Sequence, residues 1–162
     1  MVAATALALL LAVGCGSDDD SATGSSGEEE ISIETGSLSK AAFIAKADAI
    51  CTQTREEFEK EVEAAYVEEQ KNPPKPTEVS PLVGFYETDF VDLYEEQIAK
   101  ISALGAPQGD EQEIAAYLQG VQDGLTEAEE NAEAFFGPFI ERKGGFKGAA
   151  GIAKAYGLRV CA

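Results

Sequence analysis

The sequence predicts an all-α fold, a small helical bundle of three long helices plus a short C-terminal helix. Apolar residues recur at helical spacing along three long stretches, and proline or glycine marks most of the ends. The alternation of apolar and polar residues that is typical of a strand occurs only at Ile31-Ser32-Ile33, which is too short to count. A chain of 162 residues is long enough for one such domain.

The first long helix is predicted to begin after Ser39, a good N-cap residue, with Leu38 and Phe43 spaced as a hydrophobic staple. It should end by Asn72, because three of the next four residues are proline, which cannot continue a helix. Its apolar stripe consists of Phe43, Ala47, Ile50, Phe58, Val62 and Tyr66.

The second long helix is predicted to begin with Ser80 as the cap and Pro81 at the first helical position. Gly105 is the expected C-terminal cap, and Pro107 blocks continuation. Its apolar stripe is Leu82, Phe85, Phe90, Leu93, Ile98, Ile101 and Leu104.

The third long helix should follow Asp110, which is spaced with Glu113 as a capping box. Its stripe is Ile114, Leu118, Val121, Leu125, Ala128, Ala132 and Phe135. Gly120 and Gly124 lie inside this helix. They either let another element pack close to its backbone or weaken the middle of the helix, and we favour close packing.

The last segment, 139–161, is divided by Gly144-Gly145, and small residues after Phe146 predict a short helix. Gly157 should cap this helix, with Leu158 folding back as in a Schellman ending.

Charge is sorted along the chain. Every charged side chain from 101 to 141 is acidic, and all five from 142 to 159 are basic. These five are Arg142, Lys143, Lys147, Lys154 and Arg159. One interpretation is that the C-terminal segment docks beside acidic helices and neutralises them. The other is that it contacts anionic lipid, a cell-wall polymer or an acidic envelope protein.

The first residues resemble an export signal. Residues 3–13 form an uncharged apolar run, shorter than the roughly 20 residues that a membrane span needs. The run ends in Leu11-Ala12-Val13-Gly14-Cys15, which resembles the lipobox of bacterial lipoproteins. The resemblance implies cleavage before Cys15, which would carry a thioether-linked diacylglycerol and acyl chains such as palmitate. Ala12 stands where that family usually has leucine, and no Lys or Arg precedes the run.

Three units are therefore expected: a signal peptide at 1–14, the lipidated Cys15 with a disordered acidic tether at 15–37, and a helical bundle domain at 38–162. Low hydrophobicity and charge of one sign favour disorder in the tether. The implied location is the outer face of the cytoplasmic membrane, where the protein is held by its lipid.

The body also resembles small secreted bacterial lipoproteins of uncharacterised function. The similar segments are Lys46-Ala47-Asp48-Ala49-Ile50-Cys51, Leu104-Gly105-Ala106-Pro107 and Tyr156-Gly157-Leu158-Arg159-Val160-Cys161. With Cys15 assigned to lipid, Cys51 and Cys161 remain as an even pair in an oxidising compartment, and the resemblance supports a disulfide between them. The alternative is two separate buried thiols. The resemblance implies no activity.

The composition excludes several classes of function. The chain has no His, so Ser-His and Cys-His nucleophile pairs and His-ligated zinc sites are excluded within it. A net charge of −18 disfavours nucleic-acid binding. No Ca²⁺-type loop surrounds the acid clusters, so we expect no metal and no cofactor.

The sequence thus predicts a non-enzymatic binding or interaction module of the cell envelope, with no more specific role indicated. The alternative is a carrier of a small apolar ligand held between the helices and lined by Phe85, Phe90, Phe135 and Phe136.

Overall fold

The computed structural model describes residues 30–78, 80–131, 135, 136, 139 and 145–162. Within them the helices are α1 (Lys40–Lys71), α2 (Pro81–Glu87), α3 (Asp89–Ser102), α4 (Glu111–Glu130) and α5 (Lys147–Tyr156). The predicted helical fold is confirmed. The described residues form no strand, only an isolated parallel bridge between Thr35 and Ala106. The predicted signal peptide, the lipidation site Cys15 and residues 16–29 of the predicted tether lie outside the described residues.

Helix α1 has the ends that its sequence predicts. The Ser39 hydroxyl accepts a hydrogen bond from the backbone N–H of Ala42 at 3.3 Å, which satisfies one of the free donors of the first turn. At the other end the N–H of Asn72 donates to the carbonyl of Glu68. Phe43 and Ala47 are completely buried, so the first half of α1 forms one wall of the core.

The predicted second long helix is two helices, because the chain breaks at Thr88. Thr88 has φ −130° and ψ −69°, outside the helical region. Its hydroxyl donates to the carbonyl of Gly84 at 2.9 Å. A threonine that bonds back to the fourth residue before it is a recognised cause of helix bending. Helices α2 and α3 each pack on α1 from the two sides of this break.

Helix α4 is shorter than predicted and begins differently. Asp110 precedes it, but the Asp110 side chain makes no capping hydrogen bond. The helix ends at Glu130, and Asn131 follows with φ −150° and ψ 71°. Phe135 therefore lies beyond α4 instead of on its apolar stripe.

The two glycines inside α4 mark close packing, as predicted. A Cβ placed on Gly120 would lie 3.0 Å from the backbone nitrogen of Ala149 in α5. A Cβ on Gly124 would lie 2.5 Å from the Phe146 ring, too close for any real contact. Helix α5 thus packs directly on the backbone of α4.

Residues 31–36 pack on the helical body, and we call them the N-terminal strap. The N–H of Ala106 donates to the carbonyl of Glu34 at 2.9 Å, and the N–H of Gly36 donates to the carbonyl of Ala106 at 2.7 Å. Gly36 lies so close to Gly105 that a Cβ there would come within 2.7 Å of its carbonyl oxygen. The packed chain therefore begins ahead of the domain boundary that the sequence placed at residue 38.

Candidate functional site

The four phenylalanines predicted to line a ligand site are all buried. The Phe90 ring centroid lies 5.7 Å from that of Phe135 and 5.0 Å from that of Phe136. Phe85 joins them through Tyr86, whose ring lies 5.4 Å from Phe85 and 4.4 Å from Phe136. The structure therefore brings all four residues into one aromatic cluster.

The aromatic cluster is larger than the predicted set. Its described members are Phe58, Phe85, Tyr86, Phe90, Tyr94, Phe135, Phe136, Phe139 and Phe146. The spacing of Tyr86, Phe90 and Tyr94 at four-residue intervals was a helical signal for two of the missed members. Phe90 is fully buried at the centre, and most rings meet at steep angles, as aromatic pairs prefer. The rings that contact one another have centroids 4.4 to 6.4 Å apart. Ligand lining stays a prediction.

Tyr94, a half-buried member of this cluster, and the buried Tyr117 of α4 both have raised pKa values. Burial raises the pKa of Tyr94 to about 12. Burial also raises the pKa of Tyr117, and the nearby Tyr94 and Asp48 raise it further. Both phenols therefore stay neutral at physiological pH and are poorly suited to proton transfer there.

Cys51 and Cys161 are paired as the sequence predicts. Cys51 of α1 and Cys161 form a disulfide with their Cα atoms 5.3 Å apart. The alternative of two separate thiols is therefore not what the structure shows. The Tyr117 hydroxyl lies 3.8 Å from the Cys51 sulfur, so α4 also contacts this bond. The disulfide ties the end of the described chain to the first helix.

A carboxylate supports the same junction. Asp48 of α1 accepts hydrogen bonds from the backbone N–H of Arg159, at 2.9 and 3.1 Å, and of Val160, at 2.9 Å. Leu158 is buried, and its N–H donates to the carbonyl of Ala153, which confirms the predicted helix ending at Gly157 (φ 108°). The Asp48 carboxylate is thus occupied by backbone groups in a structural role.

Asp110 takes part in a second polar junction. Its carboxylate accepts a 2.7 Å hydrogen bond from the Tyr156 hydroxyl. The ammonium of Lys40 lies 3.7 Å from the same carboxylate and 3.7 Å from the centre of the Tyr156 ring. Burial and the hydrogen bond with Asp110 raise the pKa of Tyr156. These contacts join α1, α4 and α5, which explains why Asp110 does not act as the predicted side-chain cap.

Of the five basic residues predicted to form a C-terminal basic segment, those that the structure describes are exposed. Lys147, Lys154 and Arg159 are exposed, whereas Arg142 and Lys143 lie outside the described residues. Helix α5 does dock on the acidic helix α4, as one of the two interpretations expects. In the described part of the chain, however, no ion pair involves these three side chains. Their charges remain available to an anionic group.

Within the described residues, no group of three or more carboxylate or cysteine side chains is arranged to hold a metal ion. Over the same residues, none of the helices is both long enough and apolar enough to cross a membrane. Comparison of the chain with protein-family models, with curated proteins and with solved structures finds no match.

Proposed function

We propose that this chain is a lipid-anchored protein of the cell envelope, held outside the cytoplasmic membrane, that acts as a non-enzymatic binding or interaction module. The observation that carries the proposal is the pairing of Cys51 with Cys161. Disulfides persist in oxidising, extracytoplasmic compartments. The pairing also leaves Cys15 as the odd cysteine, directly after an apolar run that resembles a signal peptide.

The anchor would be strong enough to hold the protein. A single acyl chain binds a membrane only marginally, whereas two or more chains give stable residence. A diacylglyceryl group on Cys15 meets that condition. The acids that follow, Asp18–Asp20 and Glu28–Glu30, would be repelled by anionic headgroups and would hold the body away from the membrane surface.

The binding surface that we propose is the basic set Arg142, Lys143, Lys147, Lys154 and Arg159. Its partner would be an acidic envelope protein or an anionic polymer. Support comes from the three described members, which are exposed and form no ion pair within the described chain. On a molecule of net charge −18, a segment with only basic charges gives an anionic partner a defined place to bind.

A second candidate function is the carriage of a small apolar ligand, favoured by the gathering of Phe85, Phe90, Phe135 and Phe136 in one cluster. Mass spectrometry of protein purified from its host would test it. A native mass above the denatured mass, with an apolar molecule released on denaturation, would support a carrier. Equal masses together with a cross-linked envelope protein would favour the interaction module.

The anchor is tested by replacing Cys15 with serine in the producing cell. We expect the variant to lose incorporation of labelled palmitate and to appear in the medium or as an uncleaved precursor. The wild type should remain in the membrane fraction at its processed mass.

The matched control is the double variant Cys51→Ser/Cys161→Ser, which removes two cysteines and keeps Cys15. It should still incorporate palmitate and fractionate with membranes. If Cys15→Ser keeps its membrane residence and processing, the proposed anchor is wrong.

A further inference from the structure

One side of α5 is left uncovered by the described chain. Lys147, Gly148, Gly151 and Lys154 are all exposed there, and a Cβ added to either glycine would meet nothing within 4 Å. The two lysines are seven residues apart, about two helical turns, so they share a face and are separated by about 10 Å along the axis. We call these four residues the basic face of α5.

The N-terminal strap ends close to this helix. The backbone N–H of Ile31 donates to the side-chain carbonyl of Gln119 in α4 at 2.9 Å. Gly120, the next residue of α4, packs against Ala149 in the first turn of α5. The chain before Ile31 therefore leaves the body beside the helix pair α4–α5.

The direction of the strap leads toward the Lys147 end of the basic face. The Thr35 hydroxyl donates to Glu111 in the first turn of α4, while Ile31 lies about two turns further along that helix. The strap therefore runs antiparallel to α4, and its direction, extended beyond Ile31, points toward the level of Gly124. The ring of Phe146, the residue directly before Lys147, packs against Gly124.

We propose that the acidic segment Glu28–Glu30 binds the Lys147 end of the basic face within the same molecule. Three extended residues reach about 10 Å, and the glutamate and lysine side chains add to that reach. The partner is thus a named part of this chain. Its one described member, Glu30, is exposed and forms no ion pair with Lys147, so Glu28 and Glu29, which lie outside the described residues, would make the contact.

Charge and connectivity favour this partner over the others. A net charge of −18 opposes the approach of a second copy or of an anionic bilayer to the same face. The acidic segment is covalently joined to the strap, which gives it a high effective concentration. Exposed ion pairs are individually weak, so the adjacent carboxylates of this segment and its covalent linkage are needed together to populate the contact. An anionic envelope partner would have to displace the segment from Lys147. The contact itself does not depend on the lipid anchor.

Zero-length carbodiimide cross-linking of the full chain, with its disulfide intact, tests the proposal. This reagent joins a carboxylate to a lysine amine only when the two are in contact. Peptide mass spectrometry should find Glu28–Glu30 joined to Lys147 several-fold more often than to Lys154. The product should be lost between about 0.1 M and 1 M salt, where the Debye length falls from about 10 Å to about 3 Å.

A second readout follows the reactivity of Lys147 toward an acylating reagent, with Lys154 as the internal standard. The triple variant Glu28→Gln/Glu29→Gln/Glu30→Gln should raise the Lys147 to Lys154 ratio several-fold. The matched variant Glu56→Gln/Glu59→Gln/Glu63→Gln removes as much charge from the exposed side of α1 and should leave the ratio unchanged.

Three results would overturn the proposal. One is equal cross-linking to both lysines, or none to Lys147. Another is cross-linking mainly between isotopically labelled and unlabelled chains, which would make a second copy the partner. The third is a Lys147 to Lys154 ratio that responds equally to both triple variants, which would reduce the effect to net charge.

Discussion

Removing the disulfide should lower the free energy of unfolding by about 5 kcal/mol. Cys51 and Cys161 are separated by 110 residues, so the bond closes a loop over most of the folded chain. For a loop of that length, the chain-entropy relation says that the cross-link lowers the entropy of the unfolded chain by about 16 cal/mol/K. This corresponds to about 4.8 kcal/mol of stability at 298 K. Native domains are stable by about 5–15 kcal/mol, so this loss is at least about a third of the total.

The folded form should change little when the bond is reduced. Asp48 would still accept the two backbone N–H groups of Arg159 and Val160, and Leu158 would still be buried. We therefore expect the effect to arise in the unfolded state, which becomes more expanded without the cross-link. The dependence of stability on urea should accordingly become steeper in the reduced protein.

Urea titration followed by far-UV circular dichroism measures the effect. The three samples are the oxidised wild type, the reduced wild type and the double variant Cys51→Ala/Cys161→Ala. The reduced wild type is the cleaner comparison, because alanine also removes a buried sulfur at Cys51. A loss below about 1 kcal/mol, with an unchanged urea dependence, would refute the argument that the bond acts by constraining the unfolded chain.

Two further predictions concern stability. Gly124→Ala should destabilise the protein by about 1–3 kcal/mol, because the added Cβ would lie 2.5 Å from the Phe146 ring. Gly151→Ala should stabilise it by up to about 1 kcal/mol, because a Cβ at this position on α5 meets nothing within 4 Å. Thermal unfolding of the two variants measures both effects. Stability should fall as pH rises from about 10 to about 12, because burial raises the pKa of Tyr94 from 10.0 to about 12, so the unfolded chain loses this proton first. Urea titrations across that pH range should show a smaller fall for Tyr94→Phe, and an equal fall in both proteins would contradict this assignment.

Features with local causes were predictable from the sequence. Ser39 caps α1 as expected, because a cap needs only a side-chain oxygen within three residues. Gly157 ends α5 with a positive φ, which glycine adopts at little cost. The apolar stripes likewise included four of the nine described members of the aromatic cluster, Phe58, Phe85, Phe90 and Phe135, since helical spacing determines which residues share a face.

Two features were not predictable from the sequence, one set by distant contacts and one by a local hydrogen bond. Asp110 has the sequence spacing of a capping box, but Tyr156 and Lys40, remote in the chain, take its carboxylate. The break at Thr88 accompanies the hydrogen bond from its hydroxyl to the carbonyl of Gly84, and the apolar pattern of α2 and α3 does not show this bond. The acids Asp89 and Asp92 in the first turn of α3 were the available signal for a new helix start.

The N-terminal strap has the most consequence for the proposed function, because it fixes where the proposed tether would leave the body. Ile31 is held at Gln119, so a lipid anchor at Cys15 would be separated from α4 by fifteen residues, with a reach of at most about 55 Å. When Glu28–Glu30 is bound to the Lys147 end of α5, these residues no longer contribute to the reach between Cys15 and the body. The body would then be held closer to the membrane. An anionic partner that displaces the segment would release it. On these two proposals, partner binding and distance from the membrane are coupled through the same three glutamates.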